Sequence, residues 1–190
     1  MLFRSAIAAP KWQFLRYLCE RKEIVLHGTG RGDIAEFEPR QSSDVEEFGA
    51  RRAVYAASDG IWPIYFAIVD RTYATSLLNA CLRVVGEDGN RSEPYYFFSI
   101  NGDALAQRPW RRGTIYLLPR ATFEQQPPRP YGGAQVEVAQ WASPLRVRPM
   151  AQLAVGPEDF PFLGQIYPHD PPTILERASR DPGGFPWIEG

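Results

Sequence analysis

Apolar residues recur at helical spacing after Pro10, at Trp12, Leu15, Leu18 and Cys19, and predict an amphipathic helix running to about Arg21. The run Glu23-Ile24-Val25-Leu26-His27 is short and β-branched and closes on Gly28-Thr29-Gly30, so it reads as a strand entering a tight loop with His27 at its end. From Arg31 to Gly49 the pattern dissolves into Gly, Asp, Glu, Pro and Ser, which reads as an irregular loop pinned by Ile34 and Phe37. A second strand, Ala53 to Ala56, leads to Ser58-Asp59, where either side chain can cap the apolar run Ile61 to Val69. That run carries Pro63 in its first turn and is apolar nearly all round, as expected of a buried helix.

Leu78, Cys81, Leu82 and Val85 fall on one side of a helix predicted over Thr75 to Val85, ended by the turn-forming Gly86-Glu87-Asp88-Gly89-Asn90. Strands follow: Tyr95 to Ile100, Thr114 to Leu118, Val136 to Trp141 and Ala151 to Val155 are aromatic or β-branched runs separated by Gly and Pro. Helices and strands first, then a series of strands, make an α+β protein more than a doubly wound sheet. After Gly156 the chain turns to Pro, Gly, Asp and aromatics, which reads as a tail over 156–190 packed on one domain spanning 1–190.

Composition narrows the field of partners. A hydrophobic share of 44% with 23% charged residues fits a folded domain, and 21 basic against 22 acidic side chains leave no global field for a phosphate backbone or an anionic membrane. Cys19 and Cys81 sit in apolar stretches, as reduced buried thiols do, and two distant histidines, His27 and His169, form no metal-ligating motif, so no metal is expected. The opening MLFRSAIAAPKW is broken by Ser5 and ends at Pro10, unlike a signal peptide, and no stretch reaches the roughly 20 apolar residues that cross a bilayer. The expectation is a soluble, cytoplasmic protein with no membrane partner.

Leu26-His27-Gly28-Thr29 and Val54-Tyr55-Ala56-Ala57-Ser58, with the apolar helix after Gly60 and the late Gln140-Trp141-Ala142-Ser143, are the sharpest local signals. Together, over roughly residues 23–155, they resemble the His-Tyr-Glu branch of the ADP-ribosyltransferase fold, to which poly(ADP-ribose) polymerases and tRNA 2'-phosphotransferases are related. The resemblance implies short, mostly antiparallel strands forming a split sheet around an NAD cleft, with one N-terminal helix and one buried helix. It implies that His27 bonds a ribose hydroxyl, that the Gly28 backbone meets the nicotinamide amide, and that Thr29 adds a hydroxyl. Tyr55 would stack on the nicotinamide ring, for which a rigid aromatic face is suited.

The third residue of that pattern is usually a glutamate, which stabilises the oxocarbenium-like charge that develops as the glycosidic bond breaks. Here Gln140 stands at the aligned place, neutral but able to accept and donate. Glu137, in Gln135-Val136-Glu137, is the alternative. By the period of two, Gln140 shares a face with Val136 and Val138 and points to the core or cleft, whereas Glu137 shares Gln135's face and points to solvent, which favours Gln140. The expected ligand is NAD or ADP-ribose, with an unknown protein or nucleic-acid acceptor. A module that binds ADP-ribose without chemistry is the second expectation, and a third is an interaction protein whose surface carries Trp110, Trp141, Phe160, Phe162 and Trp187. His169, between prolines and beside Asp170, is given no role.

Overall fold

A helix that is apolar all round needs cover on every side, and the run Ile61 to Val69 finds it between two sheets. In the computed structural model, which describes residues 9–42, 47–131, 133–181 and 183–188, the chain forms α1 (Lys11–Arg21), β1 (Ile24–Thr29), β2 (Arg40–Gln41), β3 (Arg52–Ala57), α2 (Trp62–Ile68), β4 (Leu77–Val85) and β5 (Tyr95–Asn101). These are followed by α3 (Gly102–Ala106), β6 (Gly113–Pro119), β7 (Glu124–Gln125), β8 (Arg129–Tyr131), β9 (Ala134–Val138), β10 (Gln140–Ser143), β11 (Ala151–Val155), β12 (Tyr167–His169) and α4 (Pro171–Arg180). The opening residues 1–8 and residues 43–46 of the expected loop lie outside the described residues. The architecture is α+β with mostly antiparallel sheets, and among the described residues no helix is long and apolar enough to cross a membrane.

The first sheet runs β11-β6-β1-β3-β10-β7, with β2 also paired to β3; the second runs β12-β5-β4-β9-β8. Among the described residues only β12 pairs in parallel, on β5. One face of α2 lies on β1 and β6, where Gly28 and Gly113 let it approach: a Cβ on Gly28 would stand 1.8 Å from the Pro63 carbonyl oxygen, and one on Gly113 would stand 2.1 Å from that of Ala67. The helix's other side meets the second sheet, with the ring of Tyr65 4.8 Å from that of Phe98 and Trp62 Nε1 donating to Asn79 Oδ1 at 2.6 Å. Ile64, Tyr65 and Ile68 are accordingly fully buried, each worth about 1.5–3 kcal/mol if an aliphatic side chain is the guide. As the sequence suggests, Asp59 serves the helix start: its Oδ1 accepts from the Ile61 and Trp62 N–H groups. Its Oδ2 accepts from the Tyr96 hydroxyl on the second sheet at 2.6 Å, so one buried carboxylate ties both layers together.

Several elements differ from the expectation. The helix predicted over Thr75 to Val85 is the strand β4, paired with β5 on one side and β9 on the other. Leu78, Cys81, Leu82 and Val85 satisfy helical spacing, but the backbone is claimed by two neighbouring strands, and tertiary pairing overrides a local period. Gly28 and Thr29 are not a loop but the last residues of β1, held by Ile115 and Thr114 of β6, so His27 lies within the strand. The single strand predicted over Val136 to Trp141 is two strands, β9 and β10, in different sheets, and the chain crosses between them at Ala139. The C-terminal segment carries regular structure of its own, since β12 extends the second sheet and Asp170 caps α4 through the Thr173 N–H at 3.1 Å.

Candidate functional site

Between β1 and β3 the first sheet splits. The two strands bridge at Leu26↔Ala57 alone; beyond it β1 continues along β6, while the far end of β3 is taken up by β2 at Ala53 and Arg52. In the opening, the His27 ring reaches over and its Nδ1 meets the Tyr55 backbone carbonyl at 2.7 Å. A carbonyl only accepts, so Nδ1 carries the proton and donates, and in the neutral ring Nε2 is left as an acceptor. Burial lowers the pKa of His27 below its ordinary value and nearby Arg40 adds to this, while the bond to the Tyr55 carbonyl opposes it. The neutral form is therefore the one present at neutral pH.

The two rings do not share a hollow directly. Val25, Val54, Ala56, Phe37 and Tyr116 form one cluster, and His27 lies on that side, its ring 4.7 Å from that of Phe37. Tyr55 alternates with Val54 and Ala56 and therefore points to the opposite face, where it packs with Phe48, Ala53 and Ala142. Its hydroxyl lies 2.8 Å from the Arg51 carbonyl oxygen and 3.0 Å from that of Phe48, so one proton is shared between two acceptors. The expected roles, His27 on a ribose hydroxyl and Tyr55 on the nicotinamide ring, therefore fall to groups on opposite faces of the sheet, which meet across the split only through the His27 ring and the Tyr55 backbone.

Gln140 does sit with Tyr55. It pairs with Ala57, as Ala142 pairs with Tyr55, so both side chains belong to the same face of the sheet, two residues apart along neighbouring strands. The reason foreseen for its orientation does not hold, because alternation from Val136 and Val138 cannot be carried through the crossing at Ala139. Glu137 is in the second sheet, opposite Arg83, with its carboxylate 3.0 Å from Arg91 Nη2 and its side chain only 21% exposed, so it neither joins β1 and β3 nor points freely to solvent. Gly28 faces α2 on one side, and the close helix contact is by itself a sufficient reason for a glycine there. The Thr29 hydroxyl accepts from the Arg31 N–H at 3.3 Å.

Two cavities lie elsewhere. One, of about 390 Å³, is bordered by Glu38, Pro39, Arg52, Pro144, Leu145 and Arg146. The other, of about 630 Å³, lies where β5 and β12 end, with Thr75, Asn101, Asp103, Pro168, His169 and Asp170 on its wall. His169, to which the sequence assigns nothing, is 8% exposed and holds two hydrogen bonds: Nδ1 with the Ser99 hydroxyl at 2.7 Å and Nε2 with the Ser76 hydroxyl at 2.8 Å. No local signal could have found this, because the partners are separated from it by 70 and 93 residues. The aromatic surface expected from Trp110, Trp141, Phe160, Phe162 and Trp187 is largely packed: Phe160 is buried and the other four are half-buried.

Among the described residues no group of three or more His, Cys, Asp or Glu could hold a metal ion. Cys19 and Cys81 are free and buried, and burial raises both thiols well above their ordinary value. Compared with protein-family models, curated proteins and solved structures, the chain finds no match.

Proposed function

We propose that the chain is an NAD-binding, ADP-ribosyltransferase-like enzyme that cleaves the nicotinamide–ribose bond and transfers ADP-ribose to a protein or nucleic-acid acceptor. The observation that carries this reading is the order β1-β3-β10: the His27, Tyr55 and Gln140 strands are immediate neighbours, and the sheet is split where His27 meets Tyr55. A ligand seated in the split meets both faces of the sheet at once, so groups on opposite faces bracket it. His27 Nε2 accepts a ribose hydroxyl on one side, while the Tyr55 ring and the Gln140 amide serve the nicotinamide end on the other.

Bond cleavage builds positive charge on the ribose, and the Gln140 amide oxygen answers it with a dipole where a carboxylate would supply a full charge. Turnover is accordingly slow. The test is release of nicotinamide from NAD, together with the melting temperature: ligand at about 100 times its Kd adds about 2.7 kcal/mol to the native state. Release that disappears in His27→Ala supports the enzyme, and an unmoved melting temperature at millimolar NAD removes it.

A module that binds ADP-ribose without chemistry is favoured by one observation, the neutral Gln140 at the third position. Gln140→Glu separates the two. Faster nicotinamide release is expected of the enzyme, and ADP-ribose binding with no release in either form is expected of the module.

A further inference from the structure

The proton positions around His169 follow from counting donors. The Ser99 hydroxyl lies 2.8 Å from the Tyr167 carbonyl oxygen and 2.7 Å from His169 Nδ1. A carbonyl has no proton to give, so Ser99 donates to Tyr167 and accepts from Nδ1–H. With its proton on Nδ1, the neutral imidazole presents a lone pair at Nε2, and the hydroxyl 2.8 Å away, that of Ser76, must donate to it. The chain Ser76 Oγ–H to Nε2, Nδ1–H to Ser99, Ser99 to Tyr167 has one direction only. A hydroxyl is thus joined to a base whose tautomer is held by a third group, the arrangement that activates a nucleophile. Burial lowers the pKa of His169 against the opposing charge of Asp170, which keeps Nε2 free of a proton at neutral pH.

The backbone fixes both ends of this pair. Ser99 lies on β5 directly beside Tyr167, and β12 delivers His169 next to Asn101. Ser76, just before β4, is clamped to Asn101: its N–H donates to the Asn101 side-chain oxygen and its carbonyl accepts the Asn101 N–H, both at 3.2 Å. Ser76 is half-buried; its chain neighbour Thr75 and its hydrogen-bond partner His169 line the cavity of about 630 Å³. The charged side chains on that wall are Asp103 and Asp170, each tied through one oxygen to a neighbour, Asn101 and Thr173 respectively.

We propose that Ser76 is an activated nucleophile, acylated by small activated esters that carry a cationic group and enter this cavity. The step balances. Ser76 Oγ bonds to the acyl carbon as its proton passes to His169 Nε2; the carbon–oxygen bond to the leaving alcohol breaks, and that alcohol departs with the proton from Nε2. Acyl-Ser76 and free alcohol remain. The site is independent of the split at His27.

The test exposes the folded full-length chain to two 4-nitrophenyl esters, one bearing a trimethylammonium group and one a neutral isostere, with intact mass and peptide mapping as readouts. One acyl group on Ser76 is expected, formed faster from the cationic ester, with that preference reduced in Asp103→Asn, which leaves Asp170 on the wall. Acylation disappears in Ser76→Ala and slows by about a hundredfold in His169→Gln, the loss expected of a removed general base. Should His169→Gln fail to fold, Ser99→Ala, which releases the tautomer while leaving the imidazole, is expected to slow labelling as well. Absence of an adduct on Ser76 in folded protein, or labelling as fast in urea as in buffer, overturns the proposal.

Discussion

The regions around the two histidines solve the same problem differently. In the first sheet His27 spends one nitrogen on a backbone carbonyl and keeps the other as an acceptor, beside a split between strands and against a phenylalanine ring. In the second sheet His169 spends both nitrogens, on two serine hydroxyls, at the rim of a cavity. Both imidazoles are held neutral by burial. A carbonyl partner fixes a tautomer and offers the remaining lone pair to an outside donor, whereas a pair of hydroxyls turns the ring into a link of a proton chain that starts at the Ser76 hydroxyl.

The contrast can be broken at the elements that keep the two regions apart, and the largest effect is expected at Gly28. Its added methyl would meet a backbone oxygen of α2, not a flexible side chain, so Gly28→Ala should cost about 3 kcal/mol or more, read as a lower urea midpoint. A substitution without loss of stability would mean that α2 does not rest on β1. Asp59 comes next, because it joins the helix start to Tyr96 across the layers. Asp59→Ala should cost about 2–3 kcal/mol by leaving buried donors without an acceptor, while Asp59→Asn, which keeps an acceptor oxygen, should recover much of it.

Acid should act on both histidines together. An unfolded imidazole binds a proton near pH 6.5, about its ordinary value, whereas these two resist until lower pH. Stability is then complete above the unfolded value and falls as pH drops through it, because the unfolded chain binds more protons. Melting temperature should decline from pH 7.5 to pH 5.5, and His169→Gln should flatten the decline; a profile unchanged by that substitution would remove His169 from the account. The smallest effect is expected at Glu137, whose ion pair with Arg91 lies in the other sheet. Glu137→Gln should change stability by about 0–1 kcal/mol and leave nicotinamide release as it is, and loss of release would return Glu137 to the site.

Where one face of an element was plainly apolar, the sequence was enough to find it. α1, β6, β11 and the buried α2 with its Asp59 cap follow from period, composition and turn residues within about a dozen positions. β4 was legible only as an apolar segment. Its residues are nearly all half-buried on both faces, so no polar stripe distinguishes a period of two from one of three or four. At the site, the residues His27, Tyr55 and Gln140 could be singled out by type and order, but not their faces. A crossing between sheets at Ala139 resets the alternation on which Gln140 was placed, and nothing in Val138-Ala139-Gln140 announces it.

By itself the sequence determined which segments would seek burial, which glycines and carboxylates could start or crowd a helix, and which side chains had the chemistry to bind or react. Those are properties of a residue and its near neighbours in the chain. Tertiary structure alone decided that β1 and β3 would part after a single bridge, that Tyr55 and His27 would face opposite ways, and that Ser76, Ser99 and His169 would meet. Such meetings depend on backbone pairings between strands far apart along the chain, and the free energy that selects them belongs to the packed layers as a whole, not to any one segment.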